Sequence, residues 1–161
     1  MSERSSKITI PEADGFVGFI SVAQLRNDIG RVPTTGGIYI VVRDSDVYPT
    51  FLEIGTGGFH KDRDPNVPIS TLEANYVTDS KIMYIGKATS LRKRVLDLLR
   101  FGAGASVGHY GGRLLWQLAD SNELLIAWKE TPNEDTREVE ATMLKDFAAT
   151  HGCLPFANLK F

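Results

Sequence analysis

The sequence predicts a small α+β domain in which helices are inserted between three strands. Three stretches carry that expectation: "GGIYIVVR" (Gly36 to Arg43), "KIMYIG" (Lys81 to Gly86) and "ELLIAWKET" (Glu123 to Thr131). They are rich in β-branched and aromatic residues, and stretches with helical signals separate them. With 161 residues and 42% hydrophobic content, the chain fits one domain with a real core. No repeat, low-complexity tract or second domain is evident, so residues 1–161 are read as a single domain.

In chain order, residues 1–20 read as a loose arm ending in a short apolar patch, Phe16 to Ile20. Ser21 can cap a short helix running to about Ile29, which Gly30 stops. After the first strand, residues 44–80 form a long insert. It is polar and rich in turn residues, with one helix expected near Ser70 to Val77, where Ser70 and Glu73 have capping-box spacing. A helix follows the second strand from about Ser90 to Leu99, then a glycine-rich loop, "FGAGASVGHYGG". "RLLWQLADS" reads as a further helix, and the last helix runs from about Glu134 to Thr150. The chain ends in an extended segment broken by Pro155.

A net charge of −2 argues against a globally basic nucleic-acid binder. The charge is nevertheless segregated. Between Lys81 and Arg100 there are six basic residues and one acid, Asp97, leaving +5 on a segment of an otherwise acidic chain. One cysteine, Cys153, permits neither an internal disulfide nor a cysteine-rich zinc site. The start, "MSERSSK", has no apolar leader and no run approaches a membrane span, so the expectation is a soluble, cytoplasmic protein.

Patterning alone singles out two charged positions. On the helix after the second strand, Leu91, Val95, Leu98 and Leu99 share one face. Arg94 lies at about −60° from Leu91, on the border of that face, while Lys93 points away. An arginine there can cover the core with its stem and aim its guanidinium into a cleft, although an ordinary amphipathic helix accounts for it equally. On the last helix Glu140 falls at about 100° from Val139, inside the stripe made by Val139, Met143, Leu144 and Phe147. A carboxylate in an apolar face is costly unless it pairs with a cation or a metal, or meets water at a packing gap. Tyr39 and Tyr84 are each ordinary strand residues taken singly. Asp62, Asp64, Asn66 and Glu73 mimic the spacing of a calcium loop, but Val67 replaces the required glycine and two prolines intrude.

Together these residues resemble the GIY-YIG nuclease family. "GIY" stands at Gly37 to Tyr39 and "YIG" at Tyr84 to Gly86. "YIGKATSLRKRV" places Arg94 at the family's arginine, "EATMLKDF" opens on Glu140, and "LPFAN" ends on Asn158. The family includes the nuclease half of the bacterial excision-repair incision subunit and many homing and restriction endonucleases. The resemblance implies a small three-stranded antiparallel sheet flanked by helices, and a divalent-metal-dependent endonuclease acting on DNA. Glu140 would be the one protein ligand of Mg²⁺ or Mn²⁺, and Arg94 would hold the scissile phosphate. Tyr39, with Tyr84 as the alternative, would activate the attacking water, helped by Lys87, and Asn158 would complete the catalytic set. Strand alternation puts Lys87 and Tyr84 on opposite faces, so a twist at Gly86 is expected. Contacts to the DNA backbone would come from Arg92, Arg100, His109 and Arg113.

The chain departs from the family pattern in three ways. The two tripeptides are separated by 44 residues, and Leu98 stands where the family often has His or Tyr, a place His109 or Tyr110 could take. No separate DNA-binding module is recognised, so target choice would rest with the insert, the arm or a partner protein. The alternative is a nucleic-acid- or protein-binding module of the same fold with weak catalysis.

Overall fold

The computed structural model describes residues 10–159. Strand β1 (Val17–Ser21) leads into α1 (Val22–Arg26), followed by β2 (Gly37–Val42), α2 (Ile69–Asn75), β3 (Ile82–Ala88), α3 (Leu91–Gly102), β4 (Leu125–Glu130) and α4 (Thr136–His151). The sheet order is β1-β4-β2-β3, and every pairing is antiparallel. The architecture is therefore α+β with an open sheet of four strands, not the expected three.

The additional strand comes from the segment read as part of a loose arm, whose residues 1–9 lie outside the described residues. Its alternation is erased by a register shift between Gly18 and Ile20, where Gly18 and Phe19 take positive φ of 102° and 54°. Gly18 is also sterically required, because a Cβ there would lie 2.6 Å from the Trp128 ring.

Both faces of the sheet are covered. On one, Tyr39, Val41, Met83, Ile126 and Trp128 pack with α1, α3, Trp116 and Phe156. On the other, Ile38, Ile40, Ile85 and Ala127 pack with Leu144 and Phe147 of α4. Strand β2 is buried at every position, as its unbroken apolar run requires of a central strand.

The helices follow their sequence signals with small shifts. Ser21 and Gln24 form a capping box on α1, and Ser90 caps α3 by accepting from the Lys93 N–H. Asp135 caps α4, which ends at Gly152 in the left-handed region (φ 79°). The capping box at Ser70 and Glu73 does not form. Helix α2 starts one residue earlier, after Pro68, and Ser70 falls inside its first turn. The helix expected from Arg113 to Ser121 is instead a tighter 3₁₀ segment, Tyr110–Gln117, kinked at Gly112.

That segment anchors the insert. The buried Gln117 amide donates to the carbonyls of Leu52, Glu53 and Val67 and accepts from the Val67 N–H. With all these bonds made in the interior, residues 52–67 are fastened beside the β3 edge.

Candidate active site

The site is built around the β2–β3 register, which sets Tyr39 directly opposite Gly86. A Cβ on Gly86 would lie 2.4 Å from Cζ of Tyr39, so the tyrosine ring lies across β3 where no side chain stands. The Tyr39 hydroxyl is hydrogen-bonded to Nε2 of His109 at 2.7 Å. The Tyr84 ring packs against both, with centroids 6.1 Å from Tyr39 and 5.7 Å from His109. Gly112 makes room beneath the group, since a Cβ there would be 3.1 Å from His109 Cε1 and 3.6 Å from Tyr84 Cε1. Two glycines thus seat three aromatic rings.

Electrostatics separate the three. Burial pushes the Tyr39 hydroxyl well above its ordinary value, the neighbouring Tyr84 adds to this, and Arg94 opposes it. Burial also raises Tyr84; Arg94 and the nearby Tyr39 hydroxyl oppose that rise, while Glu140 adds to it. Burial and Arg94 push His109 down to about 3, so its ring is neutral near pH 7. Its Nδ1 is buried without a partner.

The Arg94 guanidinium emerges at the border of the buried α3 face, as the helical pattern implied, and donates to the Gly108 carbonyl at 2.5 Å. Glu140 faces the sheet from α4 with its side chain 18% exposed, and Oε1 lies 3.4 Å from Nζ of Lys87. No twist at Gly86 is needed to bring Lys87 to the site. Strand β3 is the outer strand, so Tyr84 on one face and Lys87 on the other both reach one cleft around its edge.

That cleft has a volume of about 550 Å³, and Tyr84, Lys87, Glu140, Asn158, Arg63 and Arg113 line it. A second cleft of about 600 Å³, lined by Ser90, Lys93, Arg94 and Arg137, shares Lys87 with the first. Asn158 is engaged with the fold: its Oδ1 accepts from the Ile85 N–H and its Nδ2 donates to the Ile85 carbonyl, each at 2.9 Å. In this way one side chain closes the β3 edge at Ile85.

Three of the expected DNA contacts, Arg92, Arg100 and His109, are not available to a ligand, since His109 is fully buried and cannot meet a DNA backbone. The Arg92 guanidinium donates to the carbonyls of Val32 and Gly30, fixing the start of α3. Arg100 lies about 240° around the helix axis from Arg94 and lines neither cleft. Of the two candidates for the place of Leu98, which is itself fully buried, His109 joins the tyrosines. Tyr110 instead turns to the insert, and its hydroxyl donates to the Asp64 carbonyl. Arg63 was not singled out by sequence, because one arginine in a turn-rich segment carries no periodicity.

Among the described residues no group of three or more His, Cys, Asp or Glu could hold a metal. What the cleft offers is one carboxylate, with hydroxyl and water space around it. That set fits a hard cation that keeps most of its waters, as Mg²⁺ does, and no fully protein-built cage. Comparison with models of known families, with curated proteins and with solved structures finds no match to this chain.

Proposed function

We propose that the chain is a divalent-metal-dependent endonuclease of the GIY-YIG type that hydrolyses DNA phosphodiester bonds. The observation that carries the reading is the position of the Tyr84 hydroxyl. It belongs to the open cleft and feels both the Arg94 guanidinium and the Glu140 carboxylate. Hydrolysis requires a proton acceptor for water, a cation for the phosphoryl oxygens and help for the leaving oxygen. Tyr84, Arg94 and Glu140 are the groups of this chain suited to those roles. Mg²⁺ or Mn²⁺ held by Glu140 would supply Lewis-acid stabilisation of the developing charge.

Geometry favours Tyr84 over Tyr39 as the acceptor. Tyr39 is 1% exposed and cannot meet a water directly. Orphaned buried acceptors are less rare than orphaned N–H groups, so the His109 proton belongs on Nε2 and its lone pair on the unpartnered Nδ1. Nε2–H then donates to the Tyr39 oxygen, while Arg94 and the Tyr39 hydroxyl oppose the rise that burial imposes on Tyr84. Tyr39 and His109 thereby position Tyr84 by packing against its ring.

With Mg²⁺ or Mn²⁺ the protein should nick or cut DNA. Glu140→Gln and Arg94→Ala should abolish this while leaving thermal unfolding intact, and Tyr84→Phe should cost about 10²–10⁴-fold in rate. Three variants that cut like the parent would refute the assignment.

A second reading, a binding module with weak catalysis, is favoured by the Lys87–Glu140 pair, which engages the one available carboxylate. Salt-sensitive DNA binding without cleavage in any divalent metal would select it.

A further inference from the structure

The insert places a charged group in the cleft that the catalytic set does not use. Arg63 lies at the end of a tight reversal in which its N–H donates to the His60 carbonyl at 3.0 Å. The two residues between them, Lys61 and Asp62, take φ of 52° and 61°. Neither is glycine, and left-handed backbone at such residues costs on the order of 1 kcal/mol each. The reversal is pinned where Tyr110 donates to Asp64 at 3.0 Å. Its result is that the Arg63 guanidinium stands 4.4 Å from the centre of the Tyr110 ring, and the Arg113 guanidinium stands 4.3 Å from the same centre.

The two guanidinium ions share one aromatic platform, and among the described residues the one hydrogen bond either makes is from Arg113 Nη1 to the Tyr110 carbonyl at 3.3 Å. Among the described residues neither forms a salt bridge, and Nε of Arg113 is buried without a partner. Glu140 is the one carboxylate lining the cleft, and it faces Lys87. The lining therefore holds three cations, Arg63, Lys87 and Arg113, against one acid. A planar fork of N–H donors held by stacking suits a phosphate better than a mobile ammonium would. Across Lys87 lies the Arg94 cleft, whose lining sets Lys87, Lys93, Arg94 and Arg137 against Asp97 and Asp135, so both sides of the β3 edge carry an excess of cations. Anions in series are what a polynucleotide backbone supplies.

We infer that Arg63 and Arg113, stacked on Tyr110, form a second phosphate subsite, which holds a backbone phosphate of DNA beside the one under attack. The identity of the anion rests on the endonuclease reading. On this inference the insert is part of the substrate site, and Arg63 is a binding residue delivered by it.

The test is equilibrium binding of a short fluorescein-labelled DNA duplex to the full chain in EDTA, between about 50 and 200 mM salt. Each phosphate contact contributes about 0.9 to the slope of log K against log salt. Arg63→Ala should flatten that slope by about 0.9, so the parent loses about 3.5-fold more affinity than the variant across the range. Arg63→Lys, which keeps the charge, should retain most of the slope, and neither exposed-site variant should alter the unfolding temperature. The inference is overturned if Arg63→Ala binds with the parent's affinity and slope, if the parent does not bind the duplex, or if poly-glutamate displaces the duplex as readily as unlabelled duplex does. A slope difference in a protein that never cuts would retain the subsite and remove the endonuclease reading. Metal-dependent cutting with no slope difference would do the reverse.

Discussion

Placing a methyl group on Gly86 tests whether Tyr39 is seated as described. The backbone there is not in the left-handed region, so alanine is conformationally allowed, and in a strand it should gain about 0.5–1 kcal/mol over glycine. Against this, the new Cβ would lie 2.4 Å, 2.5 Å and 2.7 Å from Cζ, Oη and Cε1 of Tyr39. The ring is buried and cannot step aside into solvent. Overpacking of this kind costs about 1–3 kcal/mol. Moving the hydroxyl off His109 leaves a buried ring nitrogen unsatisfied for about 1–3 kcal/mol more. The balance is a net loss of about 1–5 kcal/mol, and a chain of this size loses about 2–4 °C of Tm per kcal/mol. Gly86→Ala should therefore unfold roughly 2–20 °C below the parent, as measured by circular dichroism, and should lose with it the nuclease activity proposed above. Tyr39→Leu, which lacks the three clashing atoms, supplies the control. In that background Gly86→Ala should be neutral or slightly stabilising, giving a double-mutant coupling of several kcal/mol. An alanine variant as stable as the parent, or an equal cost in both backgrounds, would refute the seating.

The remaining predictions concern protons and the sheet edge. His109 is held at about 3 against an unfolded value of 6.5, so its contribution is complete above pH 6.5 and is lost as pH falls from 6.5 toward 3. The gap is worth at most about 5 kcal/mol, and His109→Gln should flatten the fall in urea midpoint between pH 7 and pH 4; an unchanged fall would place the loss elsewhere. Tyr39 is raised above 10.0, so its stabilising effect is present below pH 10 and fades as pH rises beyond it, which Tyr39→Phe should abolish in an alkaline unfolding series. Asn158→Ala leaves both backbone groups of Ile85 without their partner, and should cost about 1–3 kcal/mol with faster exchange of the Ile85 amide. Unchanged protection of that amide would show that the edge does not depend on Asn158.

Much of the scaffold was legible because its signals are local. The apolar run of β2, the Ser90 cap and the Leu91–Val95–Leu98–Leu99 stripe of α3 each follow from a few neighbouring residues. The borderline position of Arg94 and the misplaced look of Glu140 followed from helical periodicity, and both face the clefts. The signals that failed were non-local. Strand β1 is defined by its partner β4 and by a bulge that destroys alternation, so the segment alone resembles an irregular arm. Arg92 looked as free as Arg94 until the carbonyls of Gly30 and Val32, some 60 residues away in sequence, were found to bind it. The seat of Tyr39 is likewise a cross-strand fact, since nothing in "YIG" says what its glycine faces.

The position of β3 at the edge of the sheet ties these features together. In a central strand, Tyr84 and Lys87 would project into separate cores on opposite faces, and no cleft could collect both. At an edge they can meet, but a bare edge exposes unpaired backbone groups and invites pairing with other chains. Here Ala157 donates to the Met83 carbonyl and Asn158 satisfies Ile85, so the edge is closed over its first half. In its second half, Gly86 to Ala88, Lys87 lines both clefts and Ala88 one of them. The insert then approaches the same strand from the Tyr84 side, held by Gln117 and Tyr110, and brings Arg63 to the rim. A long connection at this one point of the topology is thus consistent with a substrate wall, because its fastened residues deliver a cation to the open half of the edge and leave that half uncovered.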